Sequence, residues 1–225
     1  VNLCGKDIES LEPFRNGLFH VQDLSCQVCC MALGAKEGDT VFDLCSAPGG
    51  KAFTIAQHIN DNGNVKCFDL YKNRVELIKK GAERLGLTSI NAEVSDASVF
   101  NNKLGEADRV LCDVPCSGLG IIRRKPEIKY KSLDSLSGLP EIQYNILCNA
   151  SKYVKPSGIL VYSTCTVLKR ENEDVCKRFL EENDEFYSVV PVPDLSESKF
   201  LTLLPHKNSC DGFFIAAFKR KEMIK

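Results

Sequence analysis

Long apolar runs are missing from this chain of 225 residues. No stretch approaches the ~18 apolar residues of a membrane span, and no basic-then-apolar leader opens it. No membrane role is expected, and a cytoplasmic setting is. The first residue is Val1 rather than methionine, so the start is expected to be a domain edge. A charge surplus is missing too, since 29 basic and 30 acidic residues leave a formal net charge of −1. A domain that lives on nucleic acid is often basic overall. Any such contact here has to come from a local patch or from another module.

Three histidines stand against twelve cysteines. Most of the cysteines are expected to be small buried hydrophobes kept reduced by the compartment. Cys26, Cys29 and Cys30 form a C-x2-C-C cluster, but no second C-x2-C and no paired histidine supplies the rest of a tetrahedral site. Their spacing suits one helix beside Leu24, Val28 and Ala32, and no metal is expected. Two phosphate signatures are missing as well. A P-loop needs G-x-x-x-x-G-K-[ST], whereas Cys45 holds the first glycine position and Ala52 replaces the hydroxyl that would bind magnesium. The G-x-G-x-x-G dinucleotide fingerprint fails because Gly49 and Gly50 are adjacent and no third glycine follows suitably.

What the chain does have is an alternation of strands and helices that fits one large domain. Residues 1–33 read as a lead-in, the end of an upstream region, with Gly5, Pro13 and Gly17 and then a short helix from Leu18 to Gly34. Residues 34–225 read as the main domain. Strands are expected at Thr40–Cys45, Val65–Phe68, Ile90–Val94, Val110–Cys112, Gly158–Tyr162, Phe186–Val190 and Gly212–Phe218. Helices are expected at Gly50–Ile59, Lys72–Leu85, Leu139–Tyr153 and Asn172–Glu182. Residues 115–138 read as a long charged loop, of the length that usually carries function. This order implies an α/β fold with a mainly parallel, doubly wound sheet. One strand near the C-terminus should run antiparallel, because no helix separates the last two.

Ligands of such sheets sit beyond the C-terminal ends of the strands. Asp43, Cys45, Asp69, Asp96, Asp113 and Cys165 all fall at or just past those ends. The small-residue loop Cys45-Ser46-Ala47-Pro48-Gly49-Gly50-Lys51 joins the first strand to a helix N-terminus, where backbone can approach a ligand without a Cβ in the way. Asp69 suits the hydroxyls of a ribose, and Asp96 could receive an adenine amino group. With no pyrophosphate cradle, the pattern fits a nucleoside cofactor such as S-adenosylmethionine.

Asp43-Leu-Cys-Ser-Ala-Pro-Gly-Gly-Lys51, Asp113-Val-Pro-Cys116-Ser-Gly and Ser163-Thr-Cys165-Thr with Glu171-Asn172-Glu173 resemble the signature set of RNA cytosine-C5 methyltransferases. Gly17-Leu-Phe-His-Val-Gln-Asp23 and Arg123-Arg-Lys-Pro-Glu-Ile128 resemble further segments of that family. The likeness runs from about Gly17 to Phe218 and points most to the enzymes that modify bacterial small-subunit (16S) ribosomal RNA. The departures are Val114 where alanine is common, Tyr130 where tryptophan is common, and Leu24-Ser25-Cys26 where small residues are usual.

The resemblance implies a Rossmann-like, S-adenosylmethionine-dependent methyltransferase fold, with cofactor contacts at Cys45–Lys51, Asp69, Asp96 and Asp113. It also implies that Cys165 attacks C6 of cytosine while Cys116 assists product release. Thiolate suits this task because it is a strong nucleophile and a good leaving group. Asp113 would polarise N3 of the base and absorb the charge that builds up there. Lys51 would orient Asp113 or Cys165 and favour the thiolate. The expected partner is RNA with its cytosine flipped from a loop or single strand. Arg123, Arg124, Lys125, Lys129 and Lys131 against Glu127 give a basic loop beside the Pro-Cys motif, expected to clamp phosphates. Lys219, Arg220 and Lys221 could add a second contact. A monomer is expected. The alternatives are a non-catalytic RNA-binding or ribosome-assembly module on the same fold, and a nicotinamide-dependent oxidoreductase, which the loop sequence disfavours.

Overall fold

The computed structural model describes residues 7–132 and 136–222. The first six residues of the lead-in, with Gly5, lie outside the described residues, as do three residues of the 115–138 segment. Seven helices appear among those described: α1 (Glu12–Arg15), α2 (Leu24–Leu33), α3 (Gly50–His58), α4 (Lys72–Leu85), α5 (Leu139–Ser151), α6 (Glu173–Glu182) and α7 (Pro205–Asn208). They alternate with β1 (Thr40–Asp43), β2 (Asn64–Asp69), β3 (Ile90–Val94), β4 (Ala107–Asp113), β5 (Val154–Thr164), β6 (Phe186–Val189), β7 (Phe200–Leu203) and β8 (Phe213–Arg220).

The strands form one sheet in the order β3-β2-β1-β4-β5-β8-β6, with β7 pairing β8 as well. The first five run parallel. β8 is the antiparallel strand, bonded to β5 on one edge and to β6 and β7 on the other. Because side chains alternate across a strand, each central strand feeds two cores. Val41, Leu111, Val161 and Ile215 join α2, α3 and α4 on one face. Phe42, Val110, Leu160 and Phe214 join α5 and α6 on the other. All eight are fully buried, and burying a side chain of this size stabilises by roughly 1.5–3 kcal/mol.

Several boundaries differ from the sequence expectation. The first long helix begins at Leu24 rather than Leu18, because Asp23 caps it by accepting from the Ser25 N–H. Val28, Cys29 and Leu33 of that helix pack into the main core, so α2 belongs structurally with the residues after it. The segment after β4 is not irregular throughout but holds 3-10 turns at Leu119–Ile121 and Pro126–Tyr130. β7 was not anticipated, being only four residues long and placed after an irregular Ser-rich stretch. Among the described residues no helix is long and apolar enough to cross a membrane.

Candidate active site

A cleft of about 710 Å³ opens at the C-terminal ends of the parallel strands, where the topology directs ligands. Cys45 and Ala47 line it after β1, Asp69 at the last residue of β2, Asp96 after β3, Asp113 at the last residue of β4 with Cys116 just beyond, and Cys165 after β5. Ile142 and Ile146 of α5 and Tyr71 supply apolar wall. Pro48 and Gly50 face a different cavity beside Phe53 and the N-terminal segment. Ser46 is buried, with its amide bonded to the Phe68 carbonyl at 2.8 Å. Gly49 has φ 108°, and a Cβ there would sit 2.4 Å from the Phe53 ring, so the turn into α3 demands glycine.

Asp69 is 3% exposed. Its carboxylate accepts from the Tyr71 N–H at 3.2 Å and lies 3.4 Å from the Arg74 guanidinium. Arg74 also donates to the Ala47 carbonyl at 3.0 Å, tying the ends of β1 and β2 together. The sequence reading missed Arg74, whose place in the first turn of α4 looked like ordinary helix surface. Asp96 is exposed and accepts from the amide and hydroxyl of Ser98.

Lys51 reaches from the first turn of α3 across to β4, where its ammonium donates to Asp113 at 2.6 Å. The second Asp113 oxygen accepts from Ser163 Oγ at 2.8 Å. Burial favours the neutral amine, but the Asp113 carboxylate and the thiols of Cys26 and Cys29 hold the Lys51 pKa well above its usual value. Asp43, at the end of β1, has neither carboxylate oxygen in a hydrogen bond. Burial pushes its pKa up to about 7, with Ser46 and Lys51 pulling the other way.

The two motif cysteines meet. Cys116 Sγ and Cys165 Sγ are 3.2 Å apart, and both are free thiols. That separation is too long for a disulfide, whose bond is about 2.05 Å, and suits a hydrogen bond between them. The contact divides the pair. The bond from Cys116 lowers the Cys165 pKa, helped by the Lys51 charge and opposed by burial and Asp113. The same bond, then burial, raises Cys116 well above the ordinary thiol value. Either sulfur can donate in this contact; with Cys165 ionised, the S–H of Cys116 is the donor that remains.

A buried frame holds both cysteines in place. Glu171, fully buried, accepts from the Ser117 N–H and from Gln143 Nε2, each at 2.9 Å. Gln143 Nε2 also donates to the Pro115 carbonyl at 2.9 Å. Thr164 Oγ1 donates to Asn172 Oδ1 at 2.6 Å, and Asn172 Nδ2 donates to the Thr166 carbonyl at 3.0 Å. The Gly120 N–H donates to the Cys165 carbonyl, and the Gly212 N–H to the Gly120 carbonyl, both at 2.9 Å. A Cβ on Gly120 would fall 1.9 Å from the Gly212 oxygen, so two backbones cross here because neither has a side chain. Glu171 and Asn172 stood in the sequence as part of a motif without a role. Gln143 carried no signal, as one polar residue in an amphipathic helix.

The basic segment is less open than its sequence suggests. Arg123 lies 3.2 Å from Asp211, which is 1% exposed, and Arg124 pairs with the same carboxylate. Both arginine side chains nevertheless stay more than half exposed. Lys125 and Lys129 are exposed, and Lys131 donates to the Ser117 carbonyl at 3.1 Å. A second basic contact at Lys219–Lys221, or the soluble tail that these residues equally suggest, would lie away from the cleft. β8 runs antiparallel, so Lys219 pairs with Ile159 at the end of the sheet away from Thr164 and the cleft. Arg220 there pairs with Glu106 and Glu185. Cys29 and Cys30 are core residues, and among the described residues no three His, Cys, Asp or Glu side chains are arranged to hold a metal ion.

The cleft suits a nucleoside cofactor on its own geometry. A nearly buried carboxylate at the end of β2, Cys45 and Ala47 of the loop after β1, and apolar walls line it.

Comparison with known proteins points the same way. The family model described as 16S rRNA methyltransferase RsmB/F matches residues 30–219. The probable ribosomal RNA small subunit methyltransferase B of Bacillus subtilis is 43% identical over 98% of this chain and 52% of its own length. The ribosomal RNA small subunit methyltransferase F of Citrobacter koseri is 32% identical over 93% of this chain and 46% of its own length. The crystal structure of NSun6 from Pyrococcus horikoshii with SFG superposes with a TM-score of 0.85 at 29% identity, covering 96% of this chain and 56% of that one. The chain thus spans about half the length of the curated relatives it matches.

Proposed function

The chain belongs to the 16S rRNA methyltransferase RsmB/F family, and from that premise we propose that it methylates C5 of a cytosine in small-subunit ribosomal RNA with S-adenosylmethionine as donor. The observation that carries this reading is the thiol pair in the cleft, 3.2 Å apart, beside Asp113 and its Lys51 partner.

Asp69, Asp96, Cys45 and Ala47 are the residues that would hold the cofactor, while Pro48 and Gly50 of the expected loop face the other cavity; the complex of NSun6 with SFG, an S-adenosylmethionine analogue, supports such a ligand in this fold. When bound, S-adenosylmethionine supplies an electrophilic methyl group for C5. The Cys165 thiolate adds to C6 and makes C5 electron-rich enough to accept that methyl group. Asp113, held by Lys51 and Ser163, would relay a proton from the Lys51 ammonium to N3 as negative charge develops there, and take it back when Cys165 leaves. Solvent accepts the C5 proton, its bonding electrons re-form the C5–C6 double bond, and the Cys165 thiolate is expelled. Cys116 assists that release. Arg123, Arg124, Lys125 and Lys129 approach the RNA backbone. Residues 34–225, with α2, make up the catalytic unit in this reading, which acts on ribosomal RNA in the cytoplasm.

Incubation with RNA and cofactor, followed by denaturing gels and bisulfite sequencing, tests the assignment. Cys165→Ala should abolish transfer, and Cys116→Ala should accumulate a covalent RNA adduct. An adduct that accumulates with Cys165→Ala instead would reverse the two roles. RNA binding without any transfer would favour the non-catalytic module.

A further inference from the structure

Tyr130 is the most exposed large apolar side chain among the described residues, at 89%. A tyrosine ring offers about 150–250 Å² for burial, and here almost none of it contributes to the fold. Nor does it sit on a loose tip. It ends the 3-10 turn Pro126–Tyr130, whose Ile128 is buried against Gly118. The next residue, Lys131, donates to the Ser117 carbonyl. The ring is therefore carried by a turn seated on the segment that bears Cys116. It does not line the catalytic cleft, which removes it from contact with a base bound there. Lys125 and Lys129 are exposed on the same turn and its entry.

An anchored, solvated aromatic between lysines is the arrangement that binds unpaired nucleotides. Phosphates meet the cations, and a base covers the ring whatever its identity. Extruding a base for chemistry also leaves its neighbours unstacked and in need of a new surface. Resting on the RNA reading above, we propose that Tyr130 stacks on an unpaired base flanking the target cytosine, outside the cleft, while Lys125 and Lys129 hold the adjacent phosphates.

Binding of a fluorescently labelled single-stranded RNA containing one cytosine tests this in wild type, Tyr130→Ala, Tyr130→Phe and Tyr130→Trp. S-adenosylmethionine affinity and methyl transfer are measured on the same preparations. Base–aromatic stacking predicts roughly 10-fold weaker RNA binding for Tyr130→Ala. Tyr130→Phe should match wild type and Tyr130→Trp should bind as well or better. Cofactor affinity should be unchanged in all three, and the KM for RNA should rise in Tyr130→Ala more than kcat falls. RNA affinity of Tyr130→Ala equal to wild type, with transfer intact, overturns the stacking and leaves the proposed reaction standing. Loss of RNA binding in Tyr130→Phe as well assigns the effect to the hydroxyl and also overturns it. A wild-type protein that neither binds RNA nor methylates it overturns both readings together.

Discussion

Replacing Cys116 with alanine removes the S–H that donates to Cys165 and so tests the division of labour inside the thiol pair. A hydrogen bond to a charged acceptor contributes about 1.5–3 kcal/mol, and one pKa unit corresponds to about 1.36 kcal/mol. A thiol is a weak donor, so the low end applies: losing about 1.5 kcal/mol should raise the Cys165 pKa and slow its alkylation roughly 10-fold at a fixed pH below the midpoint. The sign follows from what remains. Lys51 still favours the thiolate, but burial and Asp113 both disfavour it, and the largest opposing influence is gone. The rate of iodoacetamide alkylation of Cys165 in the free protein, followed by peptide mass spectrometry against pH, reads the shift directly. The midpoint should move upward in Cys116→Ala and return towards wild type in Cys116→Ser, whose hydroxyl can donate. An unchanged or lower midpoint in Cys116→Ala would refute the view that Cys116 is the donor.

Other parts of the frame give further tests. Glu171→Leu leaves the Ser117 amide and Gln143 without their buried acceptor, which should cost about 1–3 kcal/mol per stranded group. Differential scanning fluorimetry should show Tm lowered by several degrees, with a smaller loss in Glu171→Gln, and an unshifted Glu171→Leu would count against the frame. Gly120→Ala forces a Cβ onto the backbone of Gly212 and Cys165, so methyl transfer and the urea midpoint should both fall; wild-type turnover would contradict the crossing. Asp43, with its pKa raised to about 7 by burial, retains a proton in the folded state that the unfolded chain has released. Stability should therefore decline as pH rises from about 4 to about 7. Asp43→Asn should flatten that slope in denaturant titrations, and an identical slope would falsify the assignment.

Features encoded by local pattern could be read from the sequence, and those made by distant partners could not. Lys72–Leu85 and Ile90–Val94 coincide with α4 and β3, because one has a sustained apolar stripe closed by Gly86 and the other a short run after a turn. The motif residues Asp113, Cys116 and Cys165 do converge on one cleft, as acids and thiols at successive strand ends must in a parallel sheet. The pairing of Arg123 and Arg124 with Asp211 spans more of the chain than any local pattern covers. Composition alone therefore presented them as open cations. The inside of the cysteine frame was equally hidden, since a buried Gln143 or Glu171 looks no different in sequence from the same residue on a helix surface. The place of β8 followed from neither pattern nor motif: its apolar run marks a strand, but only pairing reveals that it lies inside the sheet.

That placement has a consequence for how the protein comes into being. Synthesis delivers β8 after every other described strand, yet its neighbours on both sides depend on it. Until it arrives, the long strand β5 presents an open hydrogen-bonding edge, the kind of surface on which nascent chains associate wrongly. The backbone crossing at Gly120 and Gly212 waits on the same event. A chain that stops short of Gly212 lacks the bond from its N–H to the Gly120 carbonyl, beside the bond that Gly120 makes to Cys165. Completion of the sheet and closure of the frame around Cys116 and Cys165 thus coincide.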